Sequence, residues 1–188
     1  NHVGGYLDAS LRPIRRVTVR GGVRLDGLSY QVDDRATTGS RSAQGLRMSK
    51  RAMVDVAAAT GLHLMASYGE GFRSPQARSL GEGETAPFTT VRAFESGVRF
   101  NAEERFQAQA AVFQSRLSKD LVFDHATGRN ETVPGTTRSG MALDLVVQPR
   151  PWLFSMASLT VVRAVFRESE GIYEKGFLLP YAPQVVAR

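Results

Sequence analysis

Residues 17–26 read Val17-Thr-Val-Arg-Gly-Gly-Val-Arg-Leu-Asp26, with Val17, Val19, Gly21, Val23 and Leu25 in one set of alternate positions and Thr18, Arg20, Gly22, Arg24 and Asp26 in the other. A β-strand sends alternate side chains to opposite faces, so this stretch predicts a strand with one apolar face and one polar, charged face. The split recurs downstream. Leu62, Leu64, Ala66 and Tyr68 oppose His63, Met65, Ser67 and Gly69, and Phe94, Ser96, Val98 and Phe100 oppose Glu95, Gly97 and Arg99. Phe106, Ala108, Ala110 and Val112 oppose Gln107, Gln109, Ala111 and Phe113, while Met141, Leu143, Leu145 and Val147 oppose Gly140, Ala142, Asp144 and Val146. From Trp152 to Phe166 the two faces are less distinct. No segment carries a convincing helical stripe; Arg51 to Ala59 comes nearest, and its Ala-rich end reads as leading into a turn.

The pattern predicts an all-β chain with strands at about 2–11, 16–33, 49–57, 62–72, 91–100, 105–123, 136–148 and 152–166, and a ninth beginning near Leu179. The connections alternate. Short ones fall at 12–15, 58–61, 101–104 and 149–151; long ones, rich in Gly, Ser, Thr and charge, fall near 34–48, 73–90, 124–135 and 167–178. A soluble β-sandwich has no reason to gather every long loop at one end. A transmembrane antiparallel barrel does, because its periplasmic turns are tight and its extracellular loops long. Strands of about 9–11 residues also suffice to cross a bilayer when tilted. Periodicity alone leaves the sandwich open, since its apolar face would line a core instead of facing lipid.

Composition narrows the chemistry. The chain has no Cys, which excludes disulfides, thiolate nucleophiles and Cys-ligated metal sites. His2, His63 and His125 share no spacing, so no metal site is expected. No apolar run is long enough for a transmembrane helix, the longest being Pro151 to Val162. The net charge of +6 sits wholly in residues 1–51, which hold 10 Arg and Lys against 4 Asp and Glu, while residues 52–188 hold 14 of each. The excess therefore describes a local lining and loop, and the long loops beyond residue 52 are too balanced or acidic for a nucleic-acid partner. Gly69, Gly71, Gly81 and Gly83 resemble a phosphate-binding loop only superficially, because no Lys-Ser/Thr follows and no helix opens after them.

Gly21-Gly-Val-Arg-Leu-Asp26, Tyr68-Gly-Glu-Gly-Phe-Arg-Ser-Pro75, Thr89-Thr-Val-Arg-Ala-Phe-Glu-Ser-Gly-Val-Arg99, Arg105 to Phe123, Gly128-Arg-Asn130 with Thr137-Arg-Ser-Gly140, and Leu179-Pro-Tyr-Ala-Pro183 follow one another along the chain. In that order they resemble the barrel of TonB-dependent outer-membrane receptors. Together they span essentially the whole chain. The chain departs from the family pattern at Ala142, where a Glu commonly follows Arg-x-Gly. The resemblance implies a barrel of roughly 22 strands around a plugged lumen. About eight complete strands and the start of a ninth are countable here, so residues 1–188 are expected to be an internal part of such a barrel, without the plug domain, the TonB box or the C-terminal strands.

Two groups of residues are candidates for function. Arg16, Arg20, Arg24 and Asp26, with Glu95, Arg99, Arg138 and Asp144, fall on the charged faces and are expected to line the lumen and meet the plug. The bland alternative is a generic polar interior, or, for Glu95 and Arg99, an ion pair within the barrel. Tyr68, Phe72, Arg73, Phe88 and Arg92 gather at the rim of the 73–90 loop, where aromatic rings and guanidinium groups could bind an anionic or chelated ligand. The alternative for the aromatics is the girdle at the bilayer edge. Asn130-Glu-Thr132 matches a glycosylation sequon that should be silent in a bacterial outer-membrane loop.

The resemblance implies a receptor in the bacterial outer membrane that binds a scarce nutrient, a ferric siderophore, haem, cobalamin or an oligosaccharide, at its extracellular loops. Its partners would be its own plug, the TonB complex, the outer-membrane lipid and the ligand. No cofactor is expected, and no Ser/His/Asp set or carboxylate pair makes a case for an enzyme. The rivals are a passive porin or channel and a soluble β-sandwich binding module.

Overall fold

The computed structural model describes residues 1–34, 39–73, 89–102, 105–124 and 128–188. Among these, β1 (His2–Ile14), β2 (Val17–Asp34), β3 (Gly39–Ala59), β4 (Leu62–Arg73), β5 (Thr89–Ala102) and β6 (Phe106–Leu117) follow one another as antiparallel neighbours. A small hairpin of β7 (Lys119–Asp124) and β8 (Arg129–Pro134) then intervenes. The main sheet resumes with β9 (Thr136–Arg150), β10 (Leu153–Phe166) and β11 (Val185–Ala187), giving nine strands in the order β1-β2-β3-β4-β5-β6-β9-β10-β11. Eight long strands and a short ninth agree with the count read from the alternation, and no helix interrupts them among the described residues.

Three boundaries move. The expected loop at 34–48 is largely strand, since residues 39–48 complete a ladder that pairs Val17 with Val56 at one end and Asp34 with Gly39 at the other. Its Gly, Ser and Arg content reads as loop in isolation, but a paired neighbour satisfies its backbone whatever its side chains. The expected strand 105–123 is broken at Ser118, and its second half leaves the sheet for the β7–β8 hairpin. At that hairpin's base, Gly135 passes so close to the carbonyls of Leu117 and Ser118 that a Cβ would lie 2.8 and 2.7 Å from their oxygens. The ninth strand begins at Val185 rather than near Leu179, which instead packs into the small core.

The short connections, at Arg15–Arg16, at Thr60–Gly61, between Ala102 and Arg105 and at Pro151–Trp152, lie at one end of the sheet, and the long ones at the other. Register carries the alternation across the whole sheet. Thr18 faces Asp55, which faces Met65, then Gly97, Ala111, Ala142 and Thr160 on successive strands. The opposite face runs through Val17, Val56, Leu64, Val98, Ala110, Leu143 and Leu159. The less distinct stretch after Trp152 is thereby oriented, with Ala157, Leu159 and Val161 on the apolar face.

Among the described residues no second layer covers that face: Val23, Leu64, Phe94 and Val112 remain 45, 47, 50 and 59% exposed. A sandwich would press these side chains against another sheet about 10 Å away. A transmembrane barrel leaves them to lipid, and a single sheet of strands apolar on one side and charged on the other is a segment of such a barrel's wall. The only buried apolar cluster among the described residues is at the loop-bearing end, where Val133, Ala164, Phe166 and Leu179 pack with Tyr173 and Ala182. The rings of Phe166 and Tyr173 lie 4.9 Å apart.

Candidate functional site

The polar face gathers charges from strands far apart in sequence. On β2, Arg24 donates from Nε to both carboxylate oxygens of Asp26 at 2.9 Å, and His2 Nε2 of β1 approaches Asp26 Oδ1 to 2.7 Å. The Asp26 side chain is fully buried beneath them. One step along the same face, Asp8 of β1 reaches across β2 to Arg51 of β3, whose Nε donates to Oδ1 at 2.8 Å. The strand it crosses presents Gly22, where a Cβ would collide with the Asp8 carboxylate and stand 3.1 Å from Arg51 Nε. Glycine there leaves room for the bridge. The groove so formed, of about 480 Å³, is lined by Tyr6, Asp8, Gly22, Arg24, Ser49 and Arg51 among others.

Nearer the short turns, Asp55 of β3 holds His63 of β4 at 2.7 Å and Arg99 of β5 at 3.7 Å. Arg99 also donates to the Met65 sulfur at 3.4 Å. At the loop-bearing end, Asp120 of β7 accepts at Oδ2 from the Thr136 hydroxyl and from Arg138, both at 2.7 Å. Asp120 and Thr136 are almost fully buried. This cluster ties the hairpin to the start of β9 by charge-assisted bonds, which are shorter and stronger than neutral ones.

Of the residues expected to line the lumen, Arg20, Arg24, Asp26, Glu95, Arg99, Arg138 and Asp144 fall on this one polar face. Arg16 does not belong to the ladder; it lies in the β1–β2 turn, where its carbonyl accepts from Ala57 N at 2.8 Å. The expected Glu95–Arg99 pair is not what holds Arg99, whose carboxylate partner is Asp55. Position 142, where the family pattern commonly has Glu, packs Ala142 between Ala111 and Thr160.

The rim group divides. Tyr68, Phe72 and Arg92 share the apolar face: Tyr68 opposes Phe94, Phe72 opposes Thr90, and Arg92 opposes Glu70. The Tyr68 hydroxyl donates to Glu70 at 2.7 Å, and Arg92 Nε stands 3.8 Å from the same carboxylate. Arg73 ends β4 opposite Thr89, and Phe88 lies outside the described residues. His125 and the Gly81 and Gly83 positions also lie outside them.

Sequence reasoning missed Asp8, Arg51, Asp55, Asp120 and Thr136 as partners. Alternation already placed Arg99 on a polar face, but only register brings side chains on strands that do not pair with each other into contact. The signal available was a glycine flanked by charges on its neighbours' polar faces, as at Gly22.

The family model described as "TonB dependent receptor-like, beta-barrel" matches residues 1–188. Among solved structures, the chain is similar to the ferric-catecholate import receptor Fiu from E. coli K12, with a TM-score of 0.77 at 15% identity over 98% of this chain and 30% of that one. It is similar to the ferric citrate transporter FecA in its unliganded form, with a TM-score of 0.79 at 18% identity over 99% of this chain and 29% of that one. It is also similar to the copper transporter OprC, with a TM-score of 0.67 at 16% identity over 87% of this chain and 29% of that one. The chain thus spans less than a third of the length of these solved chains. Comparison with curated proteins finds no match.

Proposed function

The chain belongs to the TonB-dependent receptor β-barrel family, and we propose that it forms part of the wall of an outer-membrane receptor that imports a scarce nutrient through a plugged lumen. The observation that carries this reading is the two-faced sheet. Its apolar face is uncovered, its polar face holds buried and bridged charges, and long connections gather at one end. The apolar face meets lipid, the polar face lines the lumen, and the long loops face outward, where a ligand arrives. Arg24, Arg51 and Arg99, each held by a carboxylate and still exposed, then present fixed polar groups to whatever fills the lumen. The expected occupant is the receptor's own plug, which the TonB complex pulls on from the periplasmic side. The protein moves its cargo without covalent chemistry.

A ferric chelate is the favoured cargo, because Fiu and FecA are named for ferric catecholate and ferric citrate. OprC, named for copper, has the same barrel fold, so the fold leaves the choice to the loops. The test is uptake of radiolabelled ferric chelates by cells expressing the full-length receptor as their sole transporter of this kind. Accumulation should stop when a protonophore collapses the inner-membrane gradient or when TonB is deleted. Uptake that continues unchanged under both conditions would identify a passive channel instead.

A further inference from the structure

The loop-bearing end of the wall is folded onto its own polar face. Asp120 of β7 pairs with Val133 of β8, three residues before Thr136, so a straight ladder would carry it about 10 Å beyond Thr136. Instead its Oδ2 accepts from the Thr136 hydroxyl and from Arg138 Nη2, both at 2.7 Å. Thr136 and Arg138 lie on the polar face, where Arg138 continues the row of Gly69, Ala93 and Ser115 across the sheet. The hairpin therefore bends at Ser118 and Gly135 towards that face and leaves Thr136 fully buried.

The connection from β10 to β11 comes over the same face. Ala164 and Phe166 stand opposite Arg138 and Thr136. Val133 of the hairpin and Leu179 of the connection join them in one buried cluster, and the Tyr173 ring lies 4.9 Å from that of Phe166. Arg167 N donates to Gly135 O at 2.8 Å, and Leu179 N to Ala164 O at 2.9 Å. Two segments remote in sequence thus close on each other above the polar wall, with Val133 and Phe166 almost fully buried between them. The other half of the face is bare. Among the described residues nothing comes within 4 Å of a Cβ placed on Gly69 or Gly71, and the Arg51 side chain, opposite Gly69, is 69% exposed.

We propose that the β7–β8 hairpin and the β10–β11 connection form a fixed roof over the lumen along β6, β9 and β10, so that bulky solute reaches the polar wall from the β3–β4 side, past Arg51. The roof makes the mouth asymmetric and selects cargo by size and by route. A chelate too large to pass beneath it meets the exposed Arg51 guanidinium first. The roof is held within the chain, by a buried carboxylate bound to two donors and an apolar cluster beside it, so it is in place before any cargo arrives. It rests on the barrel-wall reading, which makes the polar face the lumen, and stands whether or not uptake is energised.

The test places single cysteines on the polar face of the full-length receptor in intact cells. Residues 1–188 contain no cysteine, and any elsewhere is replaced by serine. Ser115→Cys lies beneath the roof, and Gly69→Cys lies on the bare side of the same row. A polyethylene-glycol maleimide added outside should label G69C several-fold faster than S115C, while N-ethylmaleimide, small enough to pass beneath, should label both. Releasing the roof with D120N/V133S should raise the bulky reagent's rate at S115C to that at G69C and leave G69C unchanged. T136S, which keeps the hydroxyl, should retain the protection. Heat-modified migration in detergent gels reports which variants have folded, and D120N alone, expected to lose part of the protection, serves if the double variant does not fold. Equal rates at the two cysteines without release would overturn the roof. Protection of S115C that survives release in a folded variant would overturn it too, by assigning the cover to another segment of the receptor. Labelling needs no energy, so a passive channel would show the same pattern, whereas loss of heat-modified migration in the unsubstituted receptor would sink the barrel reading itself.

Discussion

Gly22 shows how one missing methyl group organises the polar face. Asp8 and Arg51 sit on strands that do not pair with each other, and they meet because nothing rises from the strand between them. Gly22→Ala should displace the carboxylate. A double-mutant cycle between Asp8 and Arg51, read from urea unfolding of the full receptor in lipid vesicles, should show coupling in the wild-type background and none once Gly22→Ala is introduced. Persistent coupling would mean that the bridge does not depend on this gap. Asp120 is a stronger case, since it is nearly fully buried and accepts from both Thr136 and Arg138. Asp120→Asn should cost about 1.5–3 kcal/mol, the usual worth of a hydrogen bond to a charged group, and Thr136→Val about 1 kcal/mol. Both follow from the partners, and neither partner was visible until the hairpin was folded.

Among the elements, the two faces of β6 offer the cleanest contrast. Val112 is exposed on the apolar side and Gln109 lies on the polar side opposite Asp144. Val112→Lys should lower unfolding stability by roughly 2–4 kcal/mol if it lies near the bilayer midplane, whereas Gln109→Lys should cost far less. Equal effects would mean that the faces are misassigned. The β7–β8 hairpin is attached differently, through Asp120, Gly135 and Val133 at its base. Asp120→Asn should therefore speed limited proteolysis within residues 117–136 while the barrel strands stay protected. Cleavage that leaves the hairpin as resistant as before would remove the anchoring role of Asp120. The broken strand at Ser118 was illegible beforehand because both halves have strand composition, and only the Asp120 anchor and the close pass of Gly135 decide that the second half leaves the sheet.

For the whole molecule, the decisive fact is an open sheet. β1 is exposed along its entire length and forms one edge, and three-residue β11 is the other. Unpaired N–H and C=O groups on such edges recruit further strands, and in hydrocarbon they must be paired within the protein. Residues 1–188 expressed alone should require detergent and aggregate on its removal, as followed by light scattering. A monodisperse monomer in buffer would contradict the barrel wall. Supplying the adjoining strands of the full receptor should restore a folded species that resists heat in detergent.

Alternation alone, read from Val17 to Asp26 and repeated downstream, determined that this protein is built of two-faced strands with tight turns at one end and long loops at the other. It also placed Arg20, Arg24, Asp26, Glu95, Arg99, Arg138 and Asp144 on charged faces, because side-chain direction in a strand follows from position along the chain. Tertiary structure decided the rest: that Asp55 rather than Glu95 holds Arg99, that Arg16 sits in a turn, that residues 39–48 are strand, and that Tyr68, Phe72 and Arg92 share the apolar face of the sheet. Those outcomes depend on register and on close approach between strands remote in sequence. Such contacts exist only when the strands are paired, so no local pattern along the chain encodes them.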